Sequence, residues 1–186
     1  AYPRIAGYFE AETGQRLAVG LRILCKAMVT YHELYGFSLN ILDIDPTFTL
    51  GDMQRQRQQT IERLQREGVW DINRETALPH VVQRIAVVSS RQAAGYRDFC
   101  QELAKSPYDF SLTLFDAFMQ GAGAGESIVA ALDAVAARAD DFDAVALIRG
   151  GGSVSDLNCF NAYRLSAHVA QFPLPVLTGI GHDKDT

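Results

Sequence analysis

The sequence predicts an α/β protein whose larger part is a parallel, doubly wound sheet, preceded by a partial β segment and a linker helix. Two observations predict it. From Arg84 onward, short apolar runs alternate with amphipathic stretches, the rhythm of strand–helix–strand units that fold into a parallel sheet. Before residue 48 the apolar residues instead alternate with polar ones over lengths that suit paired strands.

Taken in order, a short helical lead-in precedes Leu17 to Met28, which alternates and is rich in Val, Ile and Leu. Val29-Thr-Tyr-His-Glu-Leu-Tyr-Gly36 and the residues after it read as two strands joined at a turn near Gly36, the second closed by Pro46. A helix is expected to open near Leu50 with Asp52 as its N-cap, to carry a thin stripe of Met53, Ile61 and Leu64, and to end at Gly68. Residues 69–82, with Pro79, form a connector. Arg84-Ile-Ala-Val-Val-Ser-Ser is a short buried strand, followed by a helix over about 93–105 and a strand near 110–116. Glu126 to Ala139 sets Ile128, Ala131, Leu132 and Val135 on one helical face. Ala144 to Arg149 is a third strand, a helix spans about 155–170, and Leu174 to Gly179 is a fourth strand. The domain boundaries that follow are 1–47 for the β segment, 48–82 for the linker with its helix, and 83–186 for the α/β domain, whose Rossmann-like sheet is expected to bind ligands at its carboxyl edge.

Composition bounds the function. The 186 residues are 48% apolar and 21% charged, the balance of an ordinary globular protein. No window approaches the roughly 18 uninterrupted apolar residues of a bilayer span, and Ala1-Tyr-Pro-Arg lacks the layout of a signal peptide. The chain also lacks an initiator Met and stops within a motif at Asp185-Thr186, so a piece of a longer protein is expected. Cys25, Cys100 and Cys159 are far apart with no CxxC pair, which argues against a disulfide framework or zinc knuckle, fits a reducing cytoplasm, and reads as three small core residues. The net charge is −5. From Gln54 to Arg66, however, four Arg face a single acid, while the chain from Thr76 on holds 8 basic and 12 acidic residues. The basic stretch is either a guide for a polyanion or the solvated face of a helix.

Three strand ends carry unusual residues, and a parallel sheet brings them to one edge: Ser89-Ser-Arg-Gln-Ala-Ala-Gly-Tyr-Arg-Asp98, Arg149-Gly-Gly-Gly-Ser153, and Gly179-Ile-Gly-His182-Asp-Lys-Asp185. Gly150, Gly151 and Gly152 allow close backbone approach to a ligand, and Ser153 or Ser155 can cap the next helix, whose N-terminus favours a phosphate. The pattern is neither a P-loop nor G-x-G-x-x-G. Arg149 ends a buried strand, where it suits either bidentate phosphate binding or an internal salt bridge to Asp98 or Asp185. His182 is a candidate general acid or base, with Asp185 or Asp98 to orient its ring. His32, His80 and His168 lack such company and read as structural. Asp98, His182, Asp183 and Asp185 also leave a Mg²⁺ site open as an alternative.

Together these motifs resemble the large-subunit family of exodeoxyribonuclease VII. The likeness rests on Ala86-Val-Val-Ser-Ser, Gly95-Tyr-Arg-Asp98, Arg149-Gly-Gly-Gly-Ser153, Asp156-Leu, Phe160-Asn161, Pro173-Leu-Pro-Val and Gly181-His-x-x-Asp185. Tyr31-His-Glu-Leu-Tyr-Gly and Asp43-Ile-Asp-Pro look like the end of that family's N-terminal OB-fold, and Leu64-x-x-Glu-Gly-Val-x-Asp71 with Leu78-Pro looks like its linker. The resemblance implies hydrolysis of single-stranded DNA from both ends into short oligonucleotides, with no divalent metal required. It places the catalytic set on Asp98, Arg149, His182 and Asp185; beside it, Ser90, Arg91 and the Gly150–Ser153 run are the candidates for DNA phosphates. It also implies a small-subunit partner bound through a C-terminal region beyond residue 186, and no membrane. One departure is Ser90-Arg-Gln-Ala-Ala-Gly, where the family more often has Ser-Pro-Thr-Gly-Ala-Ala; Arg91 and Gln92 are candidates to replace the missing Thr. The rival readings are a non-catalytic single-strand-binding module and a nucleotide or phosphosugar enzyme on the same kind of sheet.

Overall fold

Two stretches of backbone, each regular for its own reason, organise the molecule. The computed structural model describes residues 2–14, 16, 17, 19, 21–121, 123–150 and 157–181. These fall into two compact units, one up to Gln58 and one from Gln59 on.

In the first unit, helix α1 (Tyr2–Thr13) buries Ile5 and Phe9 against Ile44, with Leu17, Leu21 and Ile23 packed around them. Strands β1 (Leu24–His32) and β2 (Gly36–Asp45) form an antiparallel hairpin with the expected turn near Gly36, whose φ of 70° needs the freedom of glycine. The strand pattern expected from Leu17 is realised only from Leu24. Almost every hairpin side chain is exposed, including Tyr31, Tyr35, Phe37 and Leu39.

Helix α2 (Pro46–Arg66) starts earlier than expected. Pro46 both ends β2 and occupies the first helical position, where its missing N–H costs nothing. Asp45, not Asp52, caps it: the Asp45 carboxylate accepts the Thr47 hydroxyl at 2.6 Å and the Thr47 N–H at 2.9 Å. Those bonds, the hydroxyl's first, hold the Asp45 pKa below its ordinary value. Asp52 is instead buried within the helix, taking bonds from Arg22 at 3.2 Å and Gln56 at 2.9 Å. The helix ends as expected at Gly68: φ is 71°, and the Gly68 and Val69 N–H groups return to the Gln65 and Leu64 carbonyls.

The second unit is the predicted parallel sheet. Strands β3 (Arg84–Ser89), β4 (Ser111–Asp116), β5 (Ala144–Arg149) and β6 (Val176–Ile180) stand in the order β4-β3-β5-β6, all parallel. Helices α3 (Ile72–Glu75), α4 (Ala94–Ala104), α5 (Ala124–Ala136) and α6 (Tyr163–Ala170) connect or cover them. Between their ends the central strands are apolar because they are covered on both faces. Ile85, Val87, Ala146 and Ile148 face Tyr96, Phe99 and Leu103, all three from α4. Ala86, Val88, Val145 and Leu147 face α5 and α6, where Ile128, Leu132 and Leu165 are buried. Burial of a side chain such as Leu132 contributes about 1.5–3 kcal/mol. The Asn73 side chain ties the connector to the start of β6, donating to the Phe172 and Leu174 carbonyls and accepting the Val176 N–H.

Further sequence expectations need correction. The cysteines are not core residues: Cys25 is exposed on β1 and the other two are half-buried, with no disulfide among the described residues. The helix expected over about 93–105 is α4, and Asp98 lies in its second turn, not in the loop at the end of β3. The helix expected over 155–170 is seen in its described part as a 3₁₀ turn (Asn158–Asn161) followed by α6.

At the amino edge of the sheet, Asp143 binds the Arg84 guanidinium at 2.6 Å and accepts the Gln83 and Arg84 N–H groups. The Arg84 side chain, then these N–H groups, lower its pKa from 3.8 to about 2. A carboxylate with a depressed folded pKa stabilises the fold above its unfolded pKa and loses that contribution as pH falls toward the folded one. Thermal melts of the wild type should therefore lose stability between pH 4 and pH 2, the window set by those two values. The Asp143→Asn variant should be less stable at neutral pH and flatter across that window.

Candidate active site at the carboxyl edge of the sheet

Strand order fixes where a ligand can enter. The chain passes from β3 to β4 on one side, then returns to place β5 on the other side of β3. That reversal opens a crevice beyond the carboxyl ends of β3 and β5, and these ends are Ser89 and Arg149.

The crevice is built by short-range contacts. Ser89 is fully buried, and its hydroxyl donates to the Ile148 carbonyl at 2.7 Å, locking the two strand ends together. From the other side, the Ala117 N–H donates to the Ser89 carbonyl. Asp116, ending β4, accepts the Arg91 N–H at 2.8 Å, and the Ala93 N–H closes a turn on the Ser90 carbonyl. The β3–α4 turn is thereby pinned to both neighbouring strands.

Helix α4 then begins directly over β5. A Cβ added to Gly95 would lie 2.9 Å from the Gly150 nitrogen and 3.0 Å from its Cα, and one added to Gly150 would lie 3.2 Å from the Gly95 nitrogen. A side chain at Gly95 would collide with the Gly150 backbone, so that position requires glycine, and Gly150 faces it in a contact tighter than most Cβ atoms make. The N-cap of α4, Ala93, makes no side-chain cap bond. The first N–H groups of α4 thus stand beside the start of the glycine run, in the arrangement that suits an anion.

The candidate residues are distributed as follows. Arg149, the last residue of β5, is only 4% exposed. Gly150 is half-buried against Gly95. Ser90 is half-buried and Arg91 exposed in the pinned turn. Asp98 is exposed on α4; three residues on from Gly95, it stands about 60° around the axis from the face that meets Gly150. Gly151, Gly152, Ser153, Ser155, His182, Asp183 and Asp185 lie outside the described residues. The chain leaves β6 through Gly181 at φ 83°, a left-handed conformation that favours glycine. So the first expected loop is brought to the start of the second, described as far as Gly150, and the third is described as far as Gly181.

Ser89, Gly95 and Asp116 had been given no role from the sequence. Their signal was a polar residue ending an apolar strand run, and a glycine in the first turn of a helix. His168 is structural as expected, bonded to Asp133 at 2.8 Å. Among the described residues no three His, Cys, Asp or Glu side chains gather as metal ligands; the Mg²⁺ alternative involves three residues outside that set. No helix of the described residues is long and apolar enough to cross a membrane. A separate cleft of about 450 Å³ runs along β6, lined by Trp70, Leu78, Leu165, Val176 and Leu177. It is largely apolar and touches none of the described candidate residues.

Downstream of the glycine run, the end of α2 holds the chain in place. Thr60 donates to the Asn161 carbonyl, Tyr163 donates to Glu67, and Arg63 lies 3.5 Å from the Tyr163 ring centroid while bonding Glu67. The Tyr163 hydroxyl, then Arg63, lowers the Glu67 pKa.

The family model described as exonuclease VII, large subunit, matches residues 69–186. The chain belongs to this family. It is similar to the exodeoxyribonuclease 7 large subunit of Deinococcus radiodurans, 38% identical over 181 residues, which cover 94% of this chain and 43% of that protein. It is also similar to the large subunits of Xanthomonas euvesicatoria, 34% identical over 89% of this chain and 37% of the relative, and Ralstonia nicotianae, 34% identical over 89% and 38%. The chain thus spans about two fifths of the length of these curated relatives. In this family member the strand-end contacts make a direct test possible. Gly95→Ala must push α4 away from β5, and should cost about 1–3 kcal/mol of stability as an overpacked contact. Gly125→Ala, whose added Cβ meets nothing within 4 Å, should not. Denaturant titration of the two variants checks this.

Proposed function

We propose that this chain carries the phosphodiester-cleaving centre of a nuclease that degrades single-stranded DNA from both ends to short oligonucleotides. The observation that carries the reading is the Gly95–Gly150 approach at the strand-order reversal, with buried Arg149 beside it. Family membership supports the same reading, since the relatives bear the name exodeoxyribonuclease.

In this reading Arg149 and the backbone of Gly150–Ser153 hold the scissile phosphate, with Ser90 and Arg91 on the next phosphate along. Water attacks phosphorus and the bond to the departing nucleotide oxygen breaks. Arg149 stabilises the charge that develops on the phosphoryl oxygens. His182 transfers the proton, either from the water or to the leaving oxygen, and Asp185 or Asp98 orients its ring. No divalent metal is required. Residues 1–47 are the end of an OB-fold that grips single strands, 48–82 the linker, and 83–186 a Rossmann-like catalytic domain. The whole protein works in the cytoplasm with a small subunit bound outside these residues.

The test uses the full-length large subunit with its small subunit, 5′- or 3′-labelled single-stranded DNA, and EDTA. Short oligonucleotides should be released. Arg149→Ala should slow release by about 10²–10³-fold and His182→Ala by about 10²–10⁴-fold. Wild-type rates in either variant would remove that residue from the mechanism. Complete inhibition by EDTA, reversed by Mg²⁺, would restore the metal alternative.

A further inference from the structure

Two residues beyond β4, the chain turns an aromatic ring outward. Ala117 and Met119 are each 5% exposed and belong to the core cluster under α5, whereas Phe118 between them is 74% exposed. It belongs to none of the hydrophobic clusters of the described residues.

This outward ring is not on a loose loop. The Phe118 N–H donates to the Ser127 hydroxyl at 2.9 Å, the Ala117 N–H to the Ser89 carbonyl, and the Ala124 N–H to the Gly121 carbonyl. With buried residues on either side and its own amide bonded, Phe118 is presented in a fixed direction. Its place on the sheet is equally specific. Trp70, Tyr108 and Phe118 are the exposed aromatic residues of this unit among those described. Tyr108 precedes β4 at the opposite edge and Trp70 lies in the connector. Only Phe118 follows the carboxyl end of a strand, next to Asp116, which holds the Arg91 turn.

We propose that Phe118 is a stacking platform for an unpaired nucleobase of the DNA strand held at the carboxyl edge. β4 stands two strand spacings from β5, roughly 10 Å, so a strand whose phosphate meets Arg149 reaches Phe118 by running along that edge past Arg91. An uncharged ring with an open face suits a base rather than a phosphate, and stacking tolerates any base because every base has a π-face. A nuclease that must accept all sequences needs contacts of this kind. Paired bases, stacked on their own neighbours, offer no free face, so the contact also favours single strands over duplex.

The proposal rests on the reading of this chain as a single-strand nuclease, and the wild-type arm of its test separates the two. KM is measured for full-length large subunit with its small subunit on an oligonucleotide, intact or with one abasic residue placed in turn at each position near the end. Phe118→Ala should raise KM roughly tenfold to a hundredfold, Phe118→Leu nearly as much, and Phe118→Trp little. One abasic position should cost the wild type a similar factor and cost Phe118→Ala nothing more. The salt dependence of KM should keep its slope, because no phosphate contact is lost. Equal KM for Phe118→Ala and wild type, additive losses at every abasic position, or release of the small subunit from the variant would each overturn the stacking role while leaving the nuclease reading intact. Failure of the wild type to cleave single strands would overturn both.

Discussion

The pairing of β3 with β5 is the constraint on which the second unit depends. Both strands are covered on their two faces, so their side chains alternate between α4 on one side and α5 with α6 on the other. No polar side chain can sit inside such a pair without a partner. The polar groups are therefore pushed to the strand ends, where Ser89 spends its hydroxyl on the Ile148 carbonyl and Arg149 closes β5. Because the chain winds to both sides of β3, these ends open outward instead of being covered by the next crossover. The same packing that stabilises the core thus concentrates the polar chemistry at one edge.

What could be read from the sequence follows the range of the interactions involved. The buried strands Arg84–Ser89 and Ala144–Arg149 were legible almost to the residue, because unbroken apolar runs between turn residues have few other uses. The Gly68 helix stop was legible because its cap is local. The start of α2 was not. Asp52 has the right residue type for a cap, but it is buried and paired with Arg22, 30 residues away, and Asp45 is left to cap the helix. The helix after β3 was legible as well: it is expected over about 93–105 and runs from Ala94 to Ala104, although Ala93 offers no capping side chain.

The site was legible in its chemistry but not in its scaffolding. Arg149 and the glycine run stand out in any reading of the sequence. The Ser89–Ile148 bond, by contrast, joins residues 59 apart, and only the strand pairing makes them neighbours. Gly95 carries the same lesson. In the sequence it is a helix-weakening residue, and in the fold its missing side chain is what lets the two backbones meet.

The basic stretch of α2 bears on how a polyanion would be held. Arg63, one of its four arginines, is engaged with Glu67 and Tyr163, where it steadies the chain after the glycine run. Residues 54–59 are exposed all round the helix, as either alternative requires. With a net charge of −5 over the whole chain, these residues provide little long-range attraction for DNA. On the proposed reading, contact with the strand comes from groups acting at short range: backbone N–H groups at the start of α4, a buried guanidinium at the end of β5, and an aromatic face beyond β4. Such contacts are less sensitive to salt than a basic surface, and each is meaningful only because the sheet holds it in place.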